Sequence, residues 1–192
     1  MIDDANGKRL TFRVLALKTA VVHTITYFVA GTLAYTLGGY ETAFSQPPLS
    51  YLMRPTTDPL VMAGPLFQPI RGVIIAGALH PLRRVVFGQR RGWLTLWWLL
   101  LALGVLSTYG PAPGSVEGMI YTIIPLRAQI LGLWEVLLQS ILFSVVLFSW
   151  VRHPEKRWLA CSLGIAFFVV MLFPLIGLFV GGAARAAASR GS

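Results

Sequence analysis

Charged residues are scarce in this chain, which limits the class of protein that it can form. Asp, Glu, Lys and Arg make up only 12% of the 192 residues, whereas 56% are hydrophobic. Soluble proteins carry about 25% charged residues. A soluble domain of this length has too little interior to hide so much apolar surface, but a lipid bilayer solvates it. The composition therefore predicts an integral membrane protein.

The chain also lacks the common catalytic and metal-binding motifs. Its single cysteine, Cys161, excludes an intramolecular disulfide and a Cys-rich metal site. The sequence has no Cys-x-x-Cys-His, HExxH or GxSxG motif. His23 and His80 lie near the ends of apolar runs, and haem ligation by this pair is a minor alternative. We therefore expect no metal and no cofactor.

The positive charge of the chain is confined to short connectors. The formal net charge is +9, from 16 Lys and Arg against 7 Asp and Glu. No segment can form a basic face on a water-soluble domain, which excludes nucleic-acid binding. Basic residues beside apolar runs are typical of membrane proteins whose orientation they set, and they face anionic lipid. Membrane lipids are the expected partners.

Five apolar runs predict an all-α bundle of five transmembrane helices in one domain, residues 19–180. A helix needs about 20 apolar residues to cross a bilayer. A basic segment of residues 1–18 precedes the domain, and an Ala-rich tail of residues 181–192 follows it. Met119 to Leu126 is apolar but too short to cross, so we expect it at the interface or slightly re-entrant. The predicted spans are residues 19–40, 60–80, 93–109, 128–150 and 158–180.

The second span is expected to be irregular and to face the protein interior. Its first half contains Gly64, Pro65, Pro69 and Gly72. Proline removes a backbone donor and clashes with the preceding turn, so this helix should be kinked or broken near both prolines. Irregular backbone at membrane depth persists only where protein or a wet cavity surrounds it.

The distribution of basic residues predicts the orientation. If the N-terminus is inside, the inner segments carry Lys8, Arg9, Arg13, Lys18, Arg83, Arg84, Arg90, Arg91, Arg152, Lys156 and Arg157. The outer segments carry Arg54, Arg127, Arg185 and Arg190, and Arg71 lies within a span. The positive-inside rule then gives an N-inside, C-outside protein with five crossings. We expect a multi-pass protein of a bacterial cytoplasmic membrane.

Two charges inside the spans, Arg71 and Glu135, mark the candidate site. Arg71 is about eleven residues into span two, and Glu135 is about eight residues beyond Arg127 on span four, so at 1.5 Å per residue their depths are similar. A charge at a helix centre costs about 2.5–3.5 kcal/mol, which an opposite charge at the same depth offsets in part. We predict that Arg71 and Glu135 pair directly or through water.

Polar residues around this pair predict one interior patch that opens to the outer side. Glu135 and Gln139 follow Arg127 at multiples of four residues and share a helix face, as do Gln68 and Arg71. An alternative is that these groups only satisfy one another and fix the helix packing. The predicted rim of the patch consists of Arg54, Asp58, Glu117 and Arg127.

Three functions fit this pattern. The first is binding or movement of a small anionic or zwitterionic ligand, or a lipid headgroup, at the patch. A broken helix near the midplane supports it, although five spans without a repeat would require a homo-oligomer. The second is a non-catalytic accessory subunit whose intramembrane charges pair with a larger membrane protein. The third is an enzyme acting on a lipid or isoprenoid, with Glu135 as acid or base, but nothing in the sequence requires catalysis.

Overall fold

The regular structure is entirely helical in the part of the chain that the structure describes. This structure, a computed structural model, describes residues 10–188, of which the side chains of residues 43 and 180–188 are not included. Helix accounts for 79% of the chain and no strand is present in the described part. Residues 1–9, with Lys8 and Arg9, lie outside the described residues. So do residues 189–192, with Arg190.

Five long helices coincide with the five apolar runs, and short helices occupy the connections. The five residues that follow α5 in the third run form a π-helix, and a 3₁₀ turn covers Leu49–Tyr51. The α-helices are α1 (Phe12–Gly38), α2 (Tyr40–Phe44), α3 (Pro59–Met62), α4 (Gly64–Phe87), α5 (Gly92–Leu101, continued by the π-helix Ala102–Leu106), α6 (Val116–Tyr121), α7 (Leu126–Arg152) and α8 (Arg157–Ala188).

Three of these helices are long and apolar enough to cross a membrane. They are Phe12–Gly38, Leu126–Arg152 and, within α8, Arg157–Phe179. The α5 segment, Gly92–Leu106, is apolar but shorter. Helix α4 has 24 residues and carries Arg71 and three prolines. It is not among the helices that are both long and apolar enough to cross. A membrane protein with several apolar helices is therefore the class that this fold supports.

Successive long helices alternate in direction. The side chains of His23 and Gln68 meet, and so do Phe12 and His80, which makes α4 antiparallel to α1. Phe28 stacks on Phe173 with a centroid distance of 5.9 Å, so α8 runs parallel to α1. We call the end where α1 begins the basic end, and the opposite end, which holds the long connections 39–63 and 107–125, the loop end.

The tightest packing in the bundle is between α4 and α1. A Cβ built on Gly72 would lie 2.4 Å from the Cα of Ala20, so only a residue without a side chain fits there. This contact lets the two backbones touch, as small residues do at membrane helix interfaces. A hydrophobic core then extends toward the basic end, with Leu15, Val22 and Leu147 fully buried.

Basic side chains at the basic end bond to the C-termini of neighbouring helices. The ammonium of Lys18 donates to the backbone carbonyl of Trp150 at 2.7 Å and lies over its ring. The guanidinium of Arg152 donates to the carbonyl of Phe87, the last residue of α4, at 3.2 Å. The last carbonyls of a helix lack intrahelical donors and carry partial negative charge. These two cations therefore cap α7 and α4 from outside.

The break predicted in the second span occurs at Ala63, beside Pro65, and not at Pro69. Helix α3 ends at Met62, and α4 begins at Gly64 and continues without interruption through Pro69. Proline is well tolerated in a first helical turn, which suits Pro65, and Pro69 removes only the donor to that first turn. The inward orientation holds for Gln68, which is buried, but the side chain of Arg71 is exposed.

The segment predicted to lie at the interface folds against the start of α7. Helix α6 ends at Tyr121. The buried side chain of Gln129 holds the segment of residues 114–124 against α7. Its amide oxygen accepts from the N–H of Gly114 at 3.1 Å, and its amide nitrogen donates to the carbonyls of Gly118 and Ile124. The depth of this segment in a bilayer stays a prediction.

A substitution at Gly72 tests the contact between α1 and α4. Gly72→Ala should lower the free energy of unfolding by about 1–3 kcal/mol, because the added methyl overpacks a rigid backbone. Gly77→Ala is the matched control on the same helix, since a Cβ there meets nothing within 4 Å. Unfolding in detergent, followed by circular dichroism, compares the two variants. Equal stability of both would contradict the contact.

Candidate functional site

The larger of two cavities that contain predicted site residues lies at the loop end and holds Glu135. Its volume is about 710 Å³, and its walls come from α1, α2, α3, the first turn of α4, α7 and the connection between α2 and α3. We call it the Glu135 cavity. Glu135 and Arg54 are its charged lining residues. Its aromatic lining residues are Tyr27, Phe28, Tyr35, Tyr40 and Phe44.

Glu135 has a phenol as its hydrogen-bonding partner. The hydroxyl of Tyr40 donates to Oε2 of Glu135. Tyr40 reaches this position because Gly39 ends α1 in the left-handed region, at φ 61°, and turns the chain back toward α7. A side chain is strained at such a φ, and glycine is not. The ring of Tyr40 also stacks on Phe44, at 4.9 Å between centroids, which fixes the hydroxyl in place.

Arg54 and Asp58 form an ion pair at the rim of this cavity. The guanidinium and carboxylate are 3.0 Å apart, and the side chain of Arg54 is 63% exposed. Asp58 also accepts from the backbone N–H of Leu60 at 2.8 Å and so caps α3. The cap orients the carboxylate, and the carboxylate orients Arg54. The two predicted rim residues are thus together, beside the cavity.

Arg71 lies in a second, smaller cavity on the side of the bundle. This groove has a volume of about 220 Å³ and is lined from α1, α4, α7 and the end of α5. We call it the Arg71 groove. Among residues 10–188, no carboxylate lies within ion-pairing distance of Arg71. Its other lining residues are His23, Ile75, Leu100, Gly104, Val105, Val136, Gln139, Ser140 and Phe143.

The single polar patch predicted from the sequence is therefore divided, and the predicted direct pair of Arg71 with Glu135 does not form in the described residues. The sequence count of about eleven residues to Arg71 began at residue 60, which belongs to α3. Helix α4 begins only at Gly64, beside the hydroxyl of Tyr27. Gln139 accompanies Arg71 in the groove, while Glu135 faces the other cavity. Pairing through water stays a prediction.

Gln68 connects two helices and lines neither of these two cavities. Its amide oxygen lies 3.1 Å from Nε2 of His23, and its amide nitrogen donates to the carbonyl of Gly64 at 3.2 Å. Both side chains are buried. His23 also meets the ring of Phe143 edge to face at 5.8 Å. This arrangement is that of a satisfied polar contact inside the bundle.

The structure does not bring His23 and His80 together. His80 packs against Phe12 near the basic end. His23 lies level with Gln68, which is twelve residues away from His80 on α4, or about 18 Å at 1.5 Å per residue. Two axial haem ligands must meet at one iron atom. Within the described part of the chain, no group of three His, Cys, Asp or Glu side chains is placed to hold a metal ion.

Two predicted rim residues lie away from both cavities. Glu117 is in the first turn of α6, where its charge suits the helix N-terminus, and its side chain is exposed. Arg127 is in the first turn of α7 and is also exposed. Both lie at the loop end, but neither lines the Glu135 cavity or the Arg71 groove.

The aromatic walls of the Glu135 cavity were not among the predicted site residues. The sequence contains a readable signal for them, since Tyr27, Gly31 and Tyr35 recur every fourth residue and share one face of α1. Small residues flanked by tyrosines leave room between helices. Tyr40 carries no such signal, because its contact with Glu135 depends on the turn at Gly39.

The comparisons with known proteins add no functional information. No protein-family model, no curated protein and no solved structure matches this chain. The function is therefore argued from the cavities and from the residues that line them.

Two glutamines predicted for the site should differ in their effect on stability. Gln68→Leu leaves the ring nitrogen of His23 buried without its partner, which costs about 1–3 kcal/mol. Gln139→Leu is the matched control, because no hydrogen bond of Gln139 exists among the described residues. Thermal unfolding in detergent compares them. A Gln139→Leu variant as unstable as Gln68→Leu would refute the structural role of Gln68.

Proposed function

We propose that this protein binds, and as an oligomer moves, a small zwitterionic or anionic ligand or lipid headgroup in the Glu135 cavity. The volume of about 710 Å³ carries this proposal, because ligand sites occupy roughly 300–1,000 Å³. Such sites are mainly apolar and have a few converging polar groups. The aromatic walls, the carboxylate of Glu135 and the guanidinium of Arg54 fit that description.

The charges of the cavity favour a zwitterion over a simple anion. Glu135 lies inside, among tyrosine and phenylalanine rings, and an ammonium group is attracted both to a carboxylate and to aromatic faces. Arg54 lies at the rim, where it suits a phosphate or carboxylate. A ligand with its ammonium inward would offset the charge of Glu135, and its anionic group at the rim would join the ion pair of Arg54 and Asp58. The headgroups of zwitterionic phospholipids have this chemistry.

The topology that accompanies this proposal has five crossings, with the N-terminus in the cytoplasm and the protein in a bacterial cytoplasmic membrane. The alternating directions of the five long helices support it. The positive-inside rule assigns the basic end to the cytoplasm. The Glu135 cavity then opens on the outer side. In the described part of the chain, the basic residues that lie toward the basic end are Arg13, Lys18, Arg83, Arg84, Arg90, Arg91, Arg152, Lys156 and Arg157.

Removing the carboxylate of Glu135 tests the ligand site. Phosphocholine, added to the protein in a nonionic detergent, should raise its melting temperature. Glu135→Gln should weaken the affinity about tenfold or more, because a charge-assisted contact of about 1.5–3 kcal/mol is lost. Isothermal titration calorimetry gives the two dissociation constants.

The exposed carboxylate of Glu117 supplies the matched control for this experiment. Glu117→Gln makes the same chemical change at the loop end but outside the cavity, so its affinity should equal that of the wild type. Glycerol phosphate, an anion without an ammonium group, should bind more weakly than phosphocholine. Equal affinities of the Glu135→Gln and Glu117→Gln variants would contradict the proposal, as would the absence of any phosphocholine binding.

Cysteine labelling in intact cells tests the orientation. In a Cys161→Ser background, a membrane-impermeant maleimide should label a Glu117→Cys variant. The same reagent should label an Arg90→Cys variant only after the cells are permeabilised. The reverse pattern would refute the N-inside orientation, and labelling of both positions in intact cells would refute the separation of the two ends by a membrane.

A further inference from the structure

Arg71 carries a charge at a depth that calls for an anionic partner. Its neighbour Gly72 touches Ala20, which is eight residues, or about 12 Å, from the start of α1, and Arg71 is seven residues, or about 10 Å, from the start of α4 at the loop end. Arg71 therefore lies along the bundle and not at either end of it. In a helix each Cα–Cβ bond tilts toward the N-terminus, so the side chain of Arg71 leaves the backbone of α4 toward the loop end.

The groove shows where that side chain is directed. Besides Arg71, its lining includes Val136 and Gln139, which lie further toward the loop end of α7 than Phe143, the residue opposite His23. The guanidinium is exposed on the side of the bundle rather than covered by protein. A charge in this position costs about 2.5–3.5 kcal/mol when it is not compensated. An anion that arrives from the bilayer would offset this cost.

The backbone of α5 makes room for such an anion. The last turn of this segment, Ala102–Leu106, is a π-helix, which is wider than an α-helix and is frequent at functional sites. Gly104 lies within it and faces the groove, and a Cβ there would meet nothing within 4 Å. The wall of the Arg71 groove therefore leaves free space at Gly104.

We propose that the Arg71 groove is a second binding site, which takes the carboxylate of a single-chain lipid-soluble acid, such as a long-chain fatty acid, from the bilayer. The planar guanidinium fork matches a carboxylate through two parallel hydrogen bonds. The amide of Gln139 and the hydroxyl of Ser140 are the further polar groups on the groove wall. This site is independent of the ligand proposed for the Glu135 cavity.

Transfer through hydrocarbon favours a carboxylic acid over a phospholipid. A carboxylic acid tolerates apolar surroundings in its neutral, protonated form, and a neighbouring guanidinium favours its carboxylate form. A phosphodiester stays charged and remains at the headgroup level. The volume of about 220 Å³ is below the range of drug-sized ligands. It therefore suits the carboxylate and the first part of the chain, while the tail stays among lipid acyl chains.

Equilibrium binding of radiolabelled oleate to the purified full-length protein tests the site. Oleate should bind saturably, at one molecule per chain. Methyl oleate, which has the same chain but no charge, should not compete. Arg71→Leu should weaken oleate binding about tenfold or more, because a charge-assisted pair is lost. Arg71→Lys should bind with intermediate affinity. Arg127→Leu is the matched control and should bind as the wild type does.

Several results would overturn this proposal. They are equal oleate affinity of the Arg71→Leu and Arg127→Leu variants, competition by methyl oleate, and uptake of oleate without saturation. If Arg71→Leu does not accumulate, the competition with methyl oleate in the wild type decides. A membrane protein that co-purifies with the wild type and is lost only in Arg71→Leu, without oleate binding, would also overturn it and assign Arg71 to a subunit interface. Phosphocholine binding unaffected by Arg71→Leu separates this test from that of the Glu135 cavity.

Discussion

The contact between the backbones of α4 and α1 at Gly72 determines where both cavities lie. It fixes the level of α4 so that Gln68 meets His23 and Gly64 meets Tyr27. Helix α1 continues beyond Tyr27 to Gly38 without α4 beside it, and this uncovered length becomes a wall of the Glu135 cavity. Arg71, one residue before Gly72, is turned to the outside of the same contact. A side chain at position 72 would therefore displace both sites at once.

Helix α7 is one of the walls that the two cavities share. Glu135 lines one and its neighbour Val136 lines the other, since successive residues on a helix point about 100° apart. A polar side chain on a shared helix therefore lines only one cavity. The next residue in the sequence can line the other cavity. The four-residue spacing of Glu135 and Gln139 places them near one face, but the helices that surround each of them differ.

The helical segments were predictable because the length of an apolar run indicates whether a helix can cross a bilayer. The separation of Arg71 from Glu135 was not, because a count along the sequence detects neither the break at Ala63 nor the level at which α4 packs on α1. At Pro69 the predicted break is absent, since a helix accommodates a proline near its first turn. Gln68 and Gln139 have the same side chain, but one is buried against His23 and the other lines a groove. That difference depends on the neighbouring helix. The composition of each cavity therefore depends on how the helices pack, which the sequence alone does not show.

The hydrogen bonds from Lys18 to Trp150 and from Arg152 to Phe87 give two basic residues a role in the folded protein. Cations that bias a nascent segment to stay in the cytoplasm are usually regarded as signals with no further role. Here each one also terminates a helix from another part of the chain. A chain with α1 or α7 inserted in reverse would hold Lys18 and Trp150 on opposite faces of the bilayer, and the end of α7 would remain uncapped. Under the topology proposed above, residues that orient the chain therefore also stabilise the assembled bundle.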